Sequence, residues 1–131
     1  MNNLTHALFF VFRGKEIALV RGGEENPDEW GFPIGLLGGN PNHETIEMIL
    51  KEKYFQKIAI ETITEIDPRE LEDASRGFVD TQMYICTTTG TLVTRGFEFV
   101  FFAKRNNISG FNLSDRTTTA FHSKFIQSRL S

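Results

Sequence analysis

Between Gly38 and Ile60 the chain reads GGNPNHETIEMILKEKYFQKIAI, a glycine turn followed by a helical pattern that opens on glutamate. A turn delivered onto a helix start presents backbone N–H groups, and the helix dipole favours negative charge there. Gly38 and Gly39 are therefore candidates for touching a phosphate. Further along, Lys53, Gln56 and Lys57 are spaced three and four apart, so on one continuous helix they share a face. Arg21 closes an apolar run and is a second candidate phosphate grip. Trp30 offers a ring to a base. Glu98 alternates with Phe97 and Phe99 and so shares a strand face with Val100 and Phe102. If that face is buried, a carboxylate there would be desolvated and its pKa raised, which suits a general base; on a solvent-exposed face the glutamate carries no such role.

The elements that must position these residues can be read from the pattern. Residues 4–12 are an apolar, β-prone run, Arg13-Gly14-Lys15 is a turn, and residues 16–21 form a second strand, giving an N-terminal hairpin. Residues 22–29 are turn formers. Residues 30–35 are short and carry Pro33, which argues against a central strand. A helix is expected from near Asn42 to about Lys57, with Glu44 and Glu47 in its first turns. Residues 58–66 alternate and predict a strand, 67–77 a charged connection with one helical turn, and 78–87 and 96–103 two more strands. Residues 106–113 are a loop. Ser114 is a candidate N-cap for a final helix over about 115–129 whose buried stripe is Ala120, Phe121, Phe125 and Ile126. Strands and helices in this order predict one layered α+β domain with a mixed sheet between helices.

Composition excludes several classes. The 131 residues fit one domain with a real core. A net charge of -3 supplies no field for gathering nucleic acid non-specifically. The single Cys86 allows no internal disulfide and no zinc cluster, and His6, His43 and His122 are scattered. The N-terminal apolar run is too short for a signal peptide or a membrane span. A cytoplasmic location is the expectation. Thirteen phenylalanines predict an aromatic core, with Phe10, Phe78 and Tyr84 as candidates for stacking on a purine. Cys86 is expected to be a small buried hydrophobe.

The glycine-turn-helix segment resembles the Nudix (MutT-like) hydrolases. Their box is Gly, five residues, Glu, seven residues, then Arg-Glu-U-any-Glu-Glu-any-Gly-U, with U bulky and apolar. Here Gly38 is followed after five residues by Glu44, and seven more lead to Glu52 at the Arg position. Lys53 stands at the first of the later Glu positions, Tyr54 at the first U, Gln56 and Lys57 at the Glu pair, Ala59 at the second Gly and Ile60 at the last U. A lead-in of Trp, two residues, Pro-Gly-Gly is similar to Trp30-Gly31-Phe32-Pro33-Ile34-Gly35, which keeps Trp, Pro and the second Gly and then carries about three extra residues. The resemblance implies a Nudix-like α/β/α sandwich, with a curled mixed sheet between helices. It implies cleavage of nucleoside-diphosphate-linked compounds with Mg²⁺ or Mn²⁺ and an activated water. Carboxylates at 53, 56 and 57 would hold those cations, which take oxygen ligands. Two lysines and a glutamine replace a charge of -3 by +2. One such lysine about 4 Å from a divalent ion repels it by roughly 8 kcal/mol at an effective dielectric near 20, less once it swings into water.

Three readings follow. In the first, the domain binds a nucleotide diphosphate without hydrolysing it, with Lys53 and Lys57 meeting phosphate as point charges. In the second, a hydrolase keeps a relocated Mg²⁺ or Mn²⁺ site on Glu44, Glu47 and Glu52, with Glu44, Glu52 and Glu98 as candidate catalytic groups. In the third, the helix is a solvated amphipathic helix whose lysines lie over Ile46, Ile49 and Leu50. The expected partner is a small-molecule nucleotide, with a homodimer allowed. A nucleotide-sensing or protein-interaction module on the same fold is the alternative.

Overall fold

A computed structural model describes residues 5–21, 29–37, 42–67, 69–71, 81–88, 92–94, 100–106, 111–113 and 115–130. The first strand, β1 (Thr5–Arg13), alternates apolar side chains that are buried on both faces. Leu8, Phe10 and Phe12 enter one core, and Ala7, Phe9 and Val11 enter the other. Burial on both faces is what a strand between two helical layers requires. The chain turns at Gly14, whose φ of 61° lies in the region that glycine enters without strain, and returns as β2 (Glu16–Arg21).

The β1–β2 hairpin is paired only near its turn, at Phe12↔Ile17 and Arg13↔Glu16. Beyond that its arms separate, and β3 (Trp30–Gly31) and β4 (Ile34–Leu37) pair with the two arms. β3 pairs antiparallel with the end of β2 and β4 with the start of β1. The interruption falls at Phe32–Pro33, where Pro33 has no N–H to give and its carbonyl accepts from the Phe9 N–H at 2.9 Å. Phe32 turns inward and meets Phe10 edge-on, 4.8 Å between ring centres. The expected short segment with Pro33 off a central position is therefore two strands divided at that proline.

The other edge of β1 runs parallel to β7 (Gln82–Thr88), in register from Ala7↔Gln82 to Phe12↔Thr87. β6 (Ile60–Ile66) pairs antiparallel with β7, and β9 (Val100–Ala103) with β2. These seven strands make one mixed sheet, open at its ends. Against one face packs α1 (His43–Lys53) through Ile46 and Leu50. Against the other pack α2 (Asp115–Phe121) and α3 (Lys124–Leu130) through Ala120, Phe121, Ile126 and Leu130. The α+β layered architecture is as expected.

Three local features differ from the expected elements. The final helix is not continuous but breaks at His122–Ser123, where the Ser123 hydroxyl donates to the Ala120 carbonyl at 2.7 Å and accepts from the Ile126 N–H at 3.3 Å. The residue thus ends one helix and caps the next. A short strand, β8 (Val93–Thr94), carries no pattern in the sequence. The third, the end of α1, falls within the candidate site. The expected cap at Ser114 and the stacking candidate Phe78 lie outside the described residues. Phe10 and Tyr84 are core residues rather than exposed rings.

Candidate functional site

α1 begins where the sequence places it. The Asn42 side chain accepts from the Thr45 N–H at 2.8 Å, capping an otherwise unpaired donor. Glu44 lies in the first turn and Lys51 and Lys53 in the last, each on the favourable side of the helix dipole. Seating this helix requires Gly35. A Cβ built there would lie 2.3 Å from Ile49 Cγ2, so β4 and α1 meet where only a hydrogen fits.

The helix ends at Lys53 rather than near Lys57. Tyr54 closes it, its N–H still bonded to the Leu50 carbonyl at 2.9 Å. Phe55 then starts a strand, β5 (Phe55–Lys57), paired with β8. Tyr54 and Phe55 are both buried. On a continuous helix Phe55 would sit about a quarter turn round from Tyr54; as the first residue of β5 it packs instead near Phe102, 6.3 Å between ring centres. Lys53, Gln56 and Lys57 therefore do not share a helix face. Lys53 is the last helical residue, whereas Gln56 and Lys57 are exposed on β5.

The carboxylates are arranged as follows. Glu44, Glu47, Met48, Lys51 and Glu52 line one open groove along α1. Glu44 and Glu52 are exposed, and Glu47 is half-buried. Glu47 Oε2 accepts a hydrogen bond from the Ile60 backbone N–H at 2.6 Å. The β6–β7 register shifts between Ile60 and Thr62, and the glutamate serves the strand start at this irregularity. Sequence reasoning missed this role, because the partner is a main-chain group 13 positions away. Among the described residues no three of His, Cys, Asp and Glu are gathered closely enough to share a cation. With lysines and a glutamine at 53, 56 and 57, those three positions offer no carboxylate to a Mg²⁺ or Mn²⁺, and one oxygen of Glu47 is committed to a backbone N–H.

The other candidates are dispersed. Arg21 is exposed at the end of β2 directly across from Trp30. Trp30 is half-buried, its backbone N–H donating to the Asn112 carbonyl at 2.8 Å and its ring edge-on to Phe111 at 5.2 Å. It packs against the core on the α2–α3 side, whereas α1 lies on the other face. Gly38, Gly39 and Glu98 lie outside the described residues. Cys86 and Tyr84 lie on the α1 side of β7. Burial pushes the thiol up to about 12. It also pushes the phenol up to about 12, with the negative charge of Glu65 adding to the effect.

Solved structures with this architecture superpose over most of the chain. An ADP-ribose pyrophosphatase of Streptococcus suis matches 95% of this chain and 90% of its own, at a TM-score of 0.58 and 15% identity. A MutT of Aliivibrio salmonicida or Vibrio cholerae matches 85% and 87%, at 0.53 and 13% identity. The fold is Nudix-like. A UDP-X diphosphatase matches at a TM-score of 0.54 and 19% identity over 87% of this chain, which spans 56% of that longer one. No family model matches the chain, and no curated protein matches it in sequence. What is retained is thus the Nudix-like layering of strands and helices. No helix among the described residues is long and apolar enough to cross a membrane.

Proposed function

We propose that this Nudix-like domain binds the diphosphate of a nucleoside-diphosphate-linked small molecule and has lost the metal-assisted hydrolysis that the fold usually houses. One observation carries the proposal. At the junction where α1 hands over to β5, the positions of the three metal-holding carboxylates are Lys53, Gln56 and Lys57, all exposed. Exposed ammonium groups meet phosphate oxygens without a bridging cation, and an amide can donate beside them. The solved structures that share the fold include an ADP-ribose pyrophosphatase and a UDP-X diphosphatase, which supports a ligand of this class.

The chemistry left to the chain is recognition. Lys53 and Lys57 supply charge, and Gln56 adds directional donors. Without convergent carboxylates no group there holds a cation or acidifies water. The test is calorimetric titration with ADP-ribose, in a chelator and in Mn²⁺, beside a turnover assay on nucleoside-diphosphate derivatives. Binding unchanged by the chelator, with no turnover, is expected. Binding that vanishes in the chelator refutes it.

The groove formed by Glu44, Glu47 and Glu52 favours a second reading, a hydrolase with a relocated cation site. That reading requires Mg²⁺- or Mn²⁺-dependent release of phosphate or a nucleoside monophosphate, abolished by Glu44→Gln or Glu52→Gln.

A further inference from the structure

Residues 57–60 connect β5 to β6, and each end of this short segment is fixed differently. At its start, Lys57 lies on β5 opposite Val93 of β8. At its end, the Ile60 N–H is held by the Glu47 carboxylate at 2.6 Å, at the place where the β6–β7 register slips. Between them Ile58 is buried and Ala59 exposed. The hydrogen bond is charge-assisted and half-buried, the kind that contributes most when its acceptor is an anion. It is a tie, independent of apolar packing, between the second turn of α1 and the connection that follows Lys57.

We propose that Glu47 is a positioning residue for Lys57. By holding Ile60 against α1, its carboxylate fixes where the β5–β6 connection runs relative to the last helical turn, and so where the Lys57 ammonium stands relative to that of Lys53. Glu47 touches no ligand in this role. It sets the spacing of the two charges that meet the diphosphate. The inference rests on the anion-binding reading given above for its ligand, though not for the tie itself. It also separates Glu47 from Glu44 and Glu52, whose carboxylates line the same groove and are exposed.

The experiment uses the whole chain and two variants, Glu47→Gln, which keeps an acceptor oxygen, and Glu47→Ala, which removes it. Amide hydrogen exchange reads the tie directly. The Ile60 amide should exchange on the order of tenfold faster in Glu47→Ala and near the parent rate in Glu47→Gln. Core amides such as Phe10 and Ile85 should be unmoved in both. Inorganic pyrophosphate, titrated in chelator, reads the consequence. Glu47→Ala should weaken it several-fold, Glu47→Gln should restore most of the loss, and in a Lys57→Ala background Glu47→Ala should have no further effect. A general loss of stability would not depend on Lys57 in this way. Unchanged Ile60 exchange in Glu47→Ala overturns the proposal, as does a binding loss simply additive with Lys57→Ala. If the parent chain binds no pyrophosphate, the anion-binding reading falls and the positioning of Lys57 falls with it, while the exchange data still decide the tie.

Discussion

Replacing Gly35 by alanine tests the seating of α1 on the sheet. Gly35 does not have the positive φ that would make any side chain strained; among the described glycines only Gly14 does. On backbone grounds Gly35→Ala should therefore stabilise by roughly 0.4–1 kcal/mol, because alanine restricts the unfolded chain. The contact decides otherwise. The added Cβ would lie 2.3 Å from Ile49 Cγ2, and Phe9 Cε2 would lie 3.7 Å away on another side. Ordinary carbon contacts begin near 3.5 Å, so about 1 Å must be found. Ile49 cannot readily supply it by rotation, since a β-branched residue in a helix has one strongly preferred χ1. The helix must move instead, and overpacking of this kind costs about 1–3 kcal/mol. The net expectation is a loss of about 1–2 kcal/mol, or a Tm lower by roughly 3–10 °C for a chain of this length. Thermal and urea unfolding of the parent, Gly35→Ala, Ile49→Ala and the double variant form a complete cycle. Deleting the Ile49 branch should relieve the clash, so the double variant should be more stable than the sum of its parts by about 1 kcal/mol or more. A Gly35→Ala protein as stable as the parent, or a cycle that closes additively, would show that α1 is not seated against Gly35 through Ile49.

Other outcomes follow from the same structure. Asn42→Ala removes the cap on Thr45 and should cost about 1 kcal/mol in chemical unfolding, whereas Asn42→Asp should cost little. Cys86 and Tyr84 have folded pKa values raised to about 12. The unfolded chain sheds these protons first, so their contribution is intact below about pH 9 and is lost as pH rises toward 12. Alkaline unfolding of the parent should thus be shallower in a Cys86→Ala, Tyr84→Phe protein. The native thiol should also react with a disulfide reagent at neutral pH only as fast as the protein opens.

The parts of the fold that were legible in the sequence share a cause. β1 and β2 are long runs of apolar residues with a glycine turn, and α1 opens with an asparagine cap, so local chemistry and tertiary context agree. The end of α1 was not legible because helical spacing persists through Lys57, and only the pairing of Phe55 with Thr94, a strand far along the chain, selects otherwise. The adjacent aromatics Tyr54 and Phe55, both β-formers, were the available sign. The α2–α3 break depends on a hydroxyl that bonds backward and forward, which a serine in a helical pattern does not announce. At the candidate site, the exchange of carboxylates for Lys53, Gln56 and Lys57 was readable, and their common face was not. Glu47 is a candidate for a relocated cation site by its spacing from Glu44 and Glu52, but spacing does not reveal that one of its oxygens accepts from the Ile60 backbone amide.

The parallel pairing of β1 with β7 has a consequence for how the chain comes to be folded. Phe9 and Phe10 complete their strand ladder only with Tyr84 and Ile85, about 75 residues later. During synthesis this strand, with Phe9, Phe10 and Phe12, must therefore wait, with one long edge unsatisfied, until more than half of the chain has followed it. Contacts of such sequence separation carry a large loop-closure cost before they reward it, and they slow folding. In that interval the exposed β1 edge is a template for pairing with other chains. Yield on expression should then depend on how quickly β7 arrives, so truncations ending before Gln82 should aggregate through the first strand.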